Sequence, residues 1–157
     1  MVSGGRTIAQ EKTFKGRPAI AGDVVGRAEV SHGGFDINAS YVELVTAGSK
    51  SGVCVDHDNK DLFGRDLAGK ILCLPQMIGP DSGAGMLMTA LDRGCAPTAI
   101  LFANHIDPMA ASGLLMGDIW EGRRIVAVDM LGPEFLETVK TGQTVRVYVD
   151  GTVEIEG

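Results

Sequence analysis

The chain has 157 residues, of which 45% are apolar and 22% charged, and it carries a formal net charge of −6. That length and composition suit one globular core, and the acidic balance, with no basic cluster larger than Arg123-Arg124, argues against nucleic acid as a partner. No apolar run is long enough to span a bilayer, and the opening MVSGGRTIAQEK lacks the apolar core of a signal peptide, so a cytoplasmic protein is expected.

Residues 1–15 are polar and glycine-containing and read as a flexible N-terminal arm; residues 16–157 read as a single domain. Ile20, Val24, Val25, Ala28 and Val30 form short β-like pieces interrupted by Gly22-Asp23 and Gly26, as in a curled sheet. Ser31-His32-Gly33-Gly34 is a turn. Tyr41, Val42, Leu44 and Val45 suggest a short strand, Val53-Cys54-Val55 another, and Asp56–Asp61 a charged loop.

The stretch Lys70–Arg93, KILCLPQMIGPDSGAGMLMTALDR, is the most informative. Ile71–Leu74 is a buried strand, Gly79-Pro80-Asp81-Ser82-Gly83 a glycine-rich turn, and the apolar pattern from Gly83 onward a helix. A turn of this kind aims the free N–H groups of a helix N-terminus at the loop and favours a carboxylate or phosphate there. Ser82 and Asp81 are the chemistry-bearing side chains of the turn. A capping role for Ser82 is the competing explanation, since Ser and Asp are preferred N-cap residues. A P-loop is excluded, because GxxxxGK[ST] is absent.

Beyond it, Thr98–Ala103 reads as a second buried strand, Asp107-Pro108 as a capped helix start, and Arg124–Val128 as a third strand. Gly132-Pro133 opens a short helix. Thr144–Val149 and Thr152–Ile155 alternate around Asp150-Gly151, a hairpin signal. Alternating strands and helices imply a parallel sheet core with antiparallel flanks. Ligands in such sheets sit beyond the carboxyl ends of the strands, here the loops Gln76–Ser82, Asn104–Ile106 and Asp129–Gly132.

Cys54, Cys73 and Cys95 stand singly without a CxxC pair and read as small buried hydrophobes. Met77, Met86, Met88, Met109, Met116 and Met130 read as core fillers. His105 and His57 read as loop histidines, and His32 precedes its glycines, the wrong order for a phosphohistidine loop. From the residues alone, the chain is an anion-binding turn with one hydroxyl, without a complete catalytic set.

The ordered series Gly16-Arg17 and Gly22, Gly33-Gly34-Phe35-Asp36, Gly52-Val53-Cys54-Val55-Asp56, Leu62-Phe63-Gly64, Leu67-Ala68-Gly69-Lys70-Ile71-Leu72, and Leu74-Pro75 with the Gly79–Gly83 loop resembles the small subunit of the aconitase X proteins. Gly94-Cys95-Ala96-Pro97-Thr98-Ala99-Ile100, Gly113 and Thr141–Val147 extend the resemblance over nearly the whole chain. It implies an α/β swivelling β/β/α domain, like domain 4 of aconitase, with a mixed sheet. It further implies a hydro-lyase subunit that is inactive alone. The larger partner subunit would hold the iron–sulfur cluster, and no residue of this chain would bind metal.

The proton acceptor of the family loop falls on Ser82, with Asp81 as fallback, and Gly79, Gly83 and Ala84 would bind substrate. The family loop often has Ser directly after the glycine that matches Gly79; here Pro80 and Asp81 come first, and Ser82 is the loop's hydroxyl. The implied substrate is a small β-hydroxy acid, cis-3-hydroxy-L-proline ahead of mevalonate 5-phosphate, because modest charge and many glycines are not thermophile-like. A non-catalytic carboxylate- or phosphate-binding regulatory module is the alternative.

Overall fold

Runs that are apolar on both faces become strands buried on both sides, and these form the middle of the sheet. The computed structural model describes residues 11–120 and 122–157. In chain order the elements are β1 (Lys12–Lys15), β2 (Arg17–Ile20), β3 (Val24–Val30), β4 (Phe35–Asp36), α1 (Ile37–Thr46), β5 (Ile71–Leu74) and β6 (Met77–Ile78). Then follow α2 (Gly83–Asp92), β7 (Ala99–Phe102), α3 (Pro108–Trp120), β8 (Val126–Asp129), α4 (Pro133–Thr138), β9 (Thr144–Val147) and β10 (Thr152–Ile155).

The main sheet has the order β1-β10-β9-β3-β5-β7-β8-β2. Strands β3, β5, β7 and β8 run parallel, and β9, β10, β1 and β2 join antiparallel at the flanks. The expected mixed sheet with a parallel core is therefore present. A second sheet, β4 with β6, has two residues per strand.

Strand alternation splits the core into two layers. Leu72, Leu74, Ile100 and Phe102 face one side, with Ile37, Tyr41 and Leu44 of α1, Leu87 and Leu91 of α2 and Leu114 of α3. Ile71, Cys73, Ala99 and Leu101 face the other, with Phe135 and Leu136 of α4 and the valines of β9 and β10. All three cysteines are buried, as expected. Burial, with the charge of Glu29 second, pushes the Cys73 thiol well above its ordinary range.

Three expectations are corrected. The strand over 41–45 is helix α1. Its buried residues Ile37, Tyr41 and Leu44 fall at helical spacing, while Val42 and Val45 are exposed. Asp36 caps it, accepting from the Ala39 N–H at 3.1 Å. The strand over 53–55 is a single bridge, Val53 to Asp66. The arm expected over 1–15 excludes Lys12–Lys15, which pair with β10; residues 1–10 lie outside the described residues. Met77 is buried as expected, but Met130 is exposed and adopts φ 59°.

The hairpin turn needs Gly151. It sits at φ 87°, and a Cβ there would lie 2.6 Å from the Gly16 carbonyl oxygen. The Gly16 N–H in turn donates to the Gly151 carbonyl at 3.0 Å, which ties the start of β2 to the hairpin.

Candidate functional site

The carboxyl ends of β3, β5, β7 and β8 lie on one edge of the sheet, and their loops form one rim. Asn104, after β7, reaches toward Gln76, after β5, with Nδ2 and Oε1 3.4 Å apart. The Phe35 N–H donates to the Gln76 carbonyl at 3.0 Å, which draws the β3 exit to the same place. A cavity of about 370 Å³ is lined by Gly33, Gly34 and Ile78 together with Asp56, Asp58 and Asp61.

Ser82 stands at the N-terminus of α2 with helical backbone angles, φ −59° and ψ −13°, and its side chain makes no capping hydrogen bond. The capping explanation thus fails. The exposed hydroxyl instead accepts a hydrogen bond from Asn38 Nδ2 of α1 at 3.0 Å. Two helices that converge in space, 44 residues apart in sequence, therefore meet at this oxygen. Nothing in the residue pattern around Asn38 signals that role.

The expected donors of Gly83 and Ala84 are already engaged. Gly83 N–H donates to the Pro80 carbonyl at 3.0 Å and Ala84 N–H to the Asp81 carbonyl at 3.3 Å, because a turn precedes the helix. The N–H groups of Asp81, Ser82 and Gly85 have no partner among the described residues. The free donors of the turn are therefore those of Asp81, Ser82 and Gly85, not those of Gly83 and Ala84. Gly83 is itself buried, and a Cβ there would lie 2.8 Å from Ile37 Cγ2 and 2.9 Å from Met109 Sδ.

Gly79 holds φ 104°, and a Cβ there would lie 3.0 Å from the Asp36 carboxylate that caps α1. Gly79→Ala is therefore strained in backbone and crowded in space. The expected outcome is a loss of function larger than the loss of stability, because the strain falls on an exposed loop rather than the core. Parallel melting curves and ligand-binding or turnover assays of the variant check this.

At the far end of the rim, Asp129 closes β8 with a fully buried side chain. Arg17 of β2 donates to it from Nε at 3.0 Å and from Nη2 at 2.6 Å, and the Ile106 N–H donates at 2.8 Å. Burial works to raise the carboxyl, but the Arg17 and Ile106 bonds and the Arg17 charge outweigh it and hold it below its ordinary 3.8. Its stabilising contribution is thus present above that value and is lost as pH falls through the lower native one. In Arg17→Ala, burial acts against little more than one amide and pushes the carboxyl up. That variant is expected to be destabilised at pH 7, with the deficit shrinking toward pH 4. Urea midpoints at the two pH values measure it. The sequence points to the Asp129–Gly132 loop without singling out Asp129; a lone acid ending an apolar strand is the signal it offers.

The histidines are dispersed. His32 Nδ1 lies 3.1 Å from Asp61, His57 stacks on Phe63 with centroids 4.3 Å apart, and His105 joins Arg17. Among the described residues, no three His, Cys, Asp or Glu side chains are grouped to hold a metal. Cys73 faces one layer of the core and Cys54 and Cys95 the other, so the three do not fit a shared iron–sulfur cluster. Among the described residues, no helix is long and apolar enough to cross a membrane.

Comparison with known proteins agrees with this architecture. The family model "aconitase X swivel domain" matches residues 13–155. The phosphomevalonate dehydratase small subunit of Aeropyrum pernix is 30% identical over 145 residues, 92% of this chain and 93% of that protein. The protein of the same name from Thermococcus onnurineus is 28% identical over 150 residues, 91% of this chain and 98% of its own length. Among solved structures, holo aconitase X of Thermococcus kodakaraensis superposes with a TM-score of 0.77 at 26% identity, covering 93% of this chain and 99% of that one. A UPF0107 protein solved by solution NMR gives a TM-score of 0.74 at 27% identity, covering 93% and 100%. The family model spans nearly the whole chain and the fold superposes over almost its full length, so this chain belongs to the aconitase X swivel-domain family.

Proposed function

We propose that this chain is the small subunit of a hydro-lyase that dehydrates a β-hydroxy acid, in complex with a larger subunit that holds an iron–sulfur cluster. One observation carries the reading. An exposed, non-capping serine hydroxyl lies beyond the carboxyl end of β5, with Asn38 donating to it and unpartnered N–H groups beside it. Family membership supports it.

In this reading Ser82 Oγ takes the proton α to the substrate carboxylate. The electron pair of that C–H bond forms the double bond, and the β-hydroxyl departs, assisted from the partner's side. Serine is a weak base in water, so its charged form needs stabilisation. Asn38 Nδ2 and the N-terminal end of α2 supply donors where that charge develops. The N–H groups of Ser82 and Gly85 suit the substrate carboxylate. Asp81 is exposed on the same turn and is the fallback base.

The names of the Aeropyrum and Thermococcus relatives favour mevalonate 5-phosphate as substrate. The modest charge of the chain favours cis-3-hydroxy-L-proline. The purified complex, assayed with each compound for water loss, decides between them. Turnover of mevalonate 5-phosphate alone is the expected result; turnover of neither sinks the β-hydroxy acid assignment as framed.

A further inference from the structure

Helix α3 reverses the usual distribution of side chains. A surface helix ordinarily turns an apolar stripe to the core and charge to solvent. The residues of α3, PMAASGLLMGDIW, include one charged side chain, Asp118, and Arg124 engages it at 2.8 and 3.0 Å. Its inward positions are mostly small: Ala110, Gly113 and Gly117 are buried with Leu114. A Cβ at Gly113 would lie 3.1 Å from Leu87 Cδ2, and one at Gly117 would overlap Leu91 Cδ1, so α2 packs against glycine backbone. The large apolar side chains point outward instead. Leu115 is 48% exposed, Ile119 70% and Trp120 72%.

Those three leave roughly 400 Å² of apolar side chain open, a patch of the size that marks a contact surface on a soluble protein. Charge, shape and area together say what covers it. The chain carries a net charge of −6, so two copies repel unless they meet where charge is absent, as on this face. Ala111, Leu115 and Ile119 stand four residues apart and form one row along the helix. The half-buried Ala111 and exposed Ser112 make its first half small, and Leu115, Ile119 and Trp120 make its second half large. A two-fold axis beside Leu115 sets Ile119 of one copy over Ala111 of the other, and each Leu115 against its mate. That is the self-complementarity an isologous interface requires. Two such patches, with Ser112, Met116 and the Asp118–Arg124 pairs around them, approach the about 1,200 Å² at which specific interfaces begin.

The patch is also remote from Ser82. Helix α3 starts at the rim, after β7, and runs back along the sheet for 13 residues, about 20 Å. Contact through its second half leaves the rim open to another chain.

We propose that α3 is a homodimer interface, in which two copies of this chain pack α3 against α3 across a two-fold axis beside Leu115. This interface goes beyond the hydro-lyase reading and does not depend on it.

The test is native mass spectrometry and sedimentation equilibrium of the protein in the assembly in which it purifies. The expected result is two copies of this chain per particle. Ile119→Glu sets two carboxylates into an uncharged contact and is expected to weaken pairing by about tenfold or more, while circular dichroism stays native. Trp120→Ala, which truncates an exposed ring, takes its place if that variant does not fold. One copy per particle at concentrations up to about 1 mM overturns the proposal, whether or not either variant folds. Two copies that remain paired in folded Ile119→Glu overturn it as well, since another surface then joins them.

Discussion

Ser82→Ala in the assembled complex is expected to lower turnover by about 10²–10⁴-fold, the usual contribution of a positioned proton acceptor, with almost no change in melting temperature. The second half of that expectation comes from the geometry. A capping serine lost to alanine costs about 1 kcal/mol, but this hydroxyl caps nothing and is exposed. Its one partner, Asn38 Nδ2, is also at the surface and regains water when the hydroxyl is removed. Chemistry and stability are therefore separable at this residue. If Asp81 is the base instead, Ser82→Ala stays near full activity and Asp81→Asn takes the loss. Turnover rates and melting curves of the two variants, measured side by side, discriminate the assignments.

The largest stability effect is expected at Phe102. Its ring is fully buried in β7, flanked by β5 and β8 and packed under the helical layer. Phe102→Ala removes a ring where the surrounding strands, hydrogen-bonded on both sides, cannot collapse into the space. A cost of about 3–5 kcal/mol follows from the transfer and cavity terms together. That is a large part of the stability of an ordinary domain. Urea unfolding of the variant reads it directly; a shift under about 1 kcal/mol would mean the site relaxes far more than a packed interior does.

The central strands were legible because burial on both faces writes itself as unbroken apolar text, as in Ile71–Leu74 and Ala99–Phe102. The hairpin was legible because Asp150-Gly151 needs a positive φ that glycine supplies. Helix α1 was not, since Val42 and Val45 dilute its helical period with exposed apolar residues that mimic a strand. The pairing of β4 with β6 was invisible, because two-residue strands carry no period.

The site divided in the same way. Ser82 stands out as a candidate through local chemistry, a hydroxyl in a glycine turn. Asn38 and the Arg17–Asp129 pair did not, because their meaning lies in contacts spanning 44 and 112 residues. The N–H groups of Gly83 and Ala84 are not free for a local reason: they bond the Pro80 and Asp81 carbonyls of the turn.

The most direct test of the central claim is to express the tagged chain in its native host, purify it without oxygen and record what co-elutes. A coloured complex with a larger chain that dehydrates a β-hydroxy acid is the predicted result. A colourless protein that purifies without a partner and binds a small carboxylate or phosphate would contradict the subunit assignment and leave a non-catalytic anion-binding module in its place.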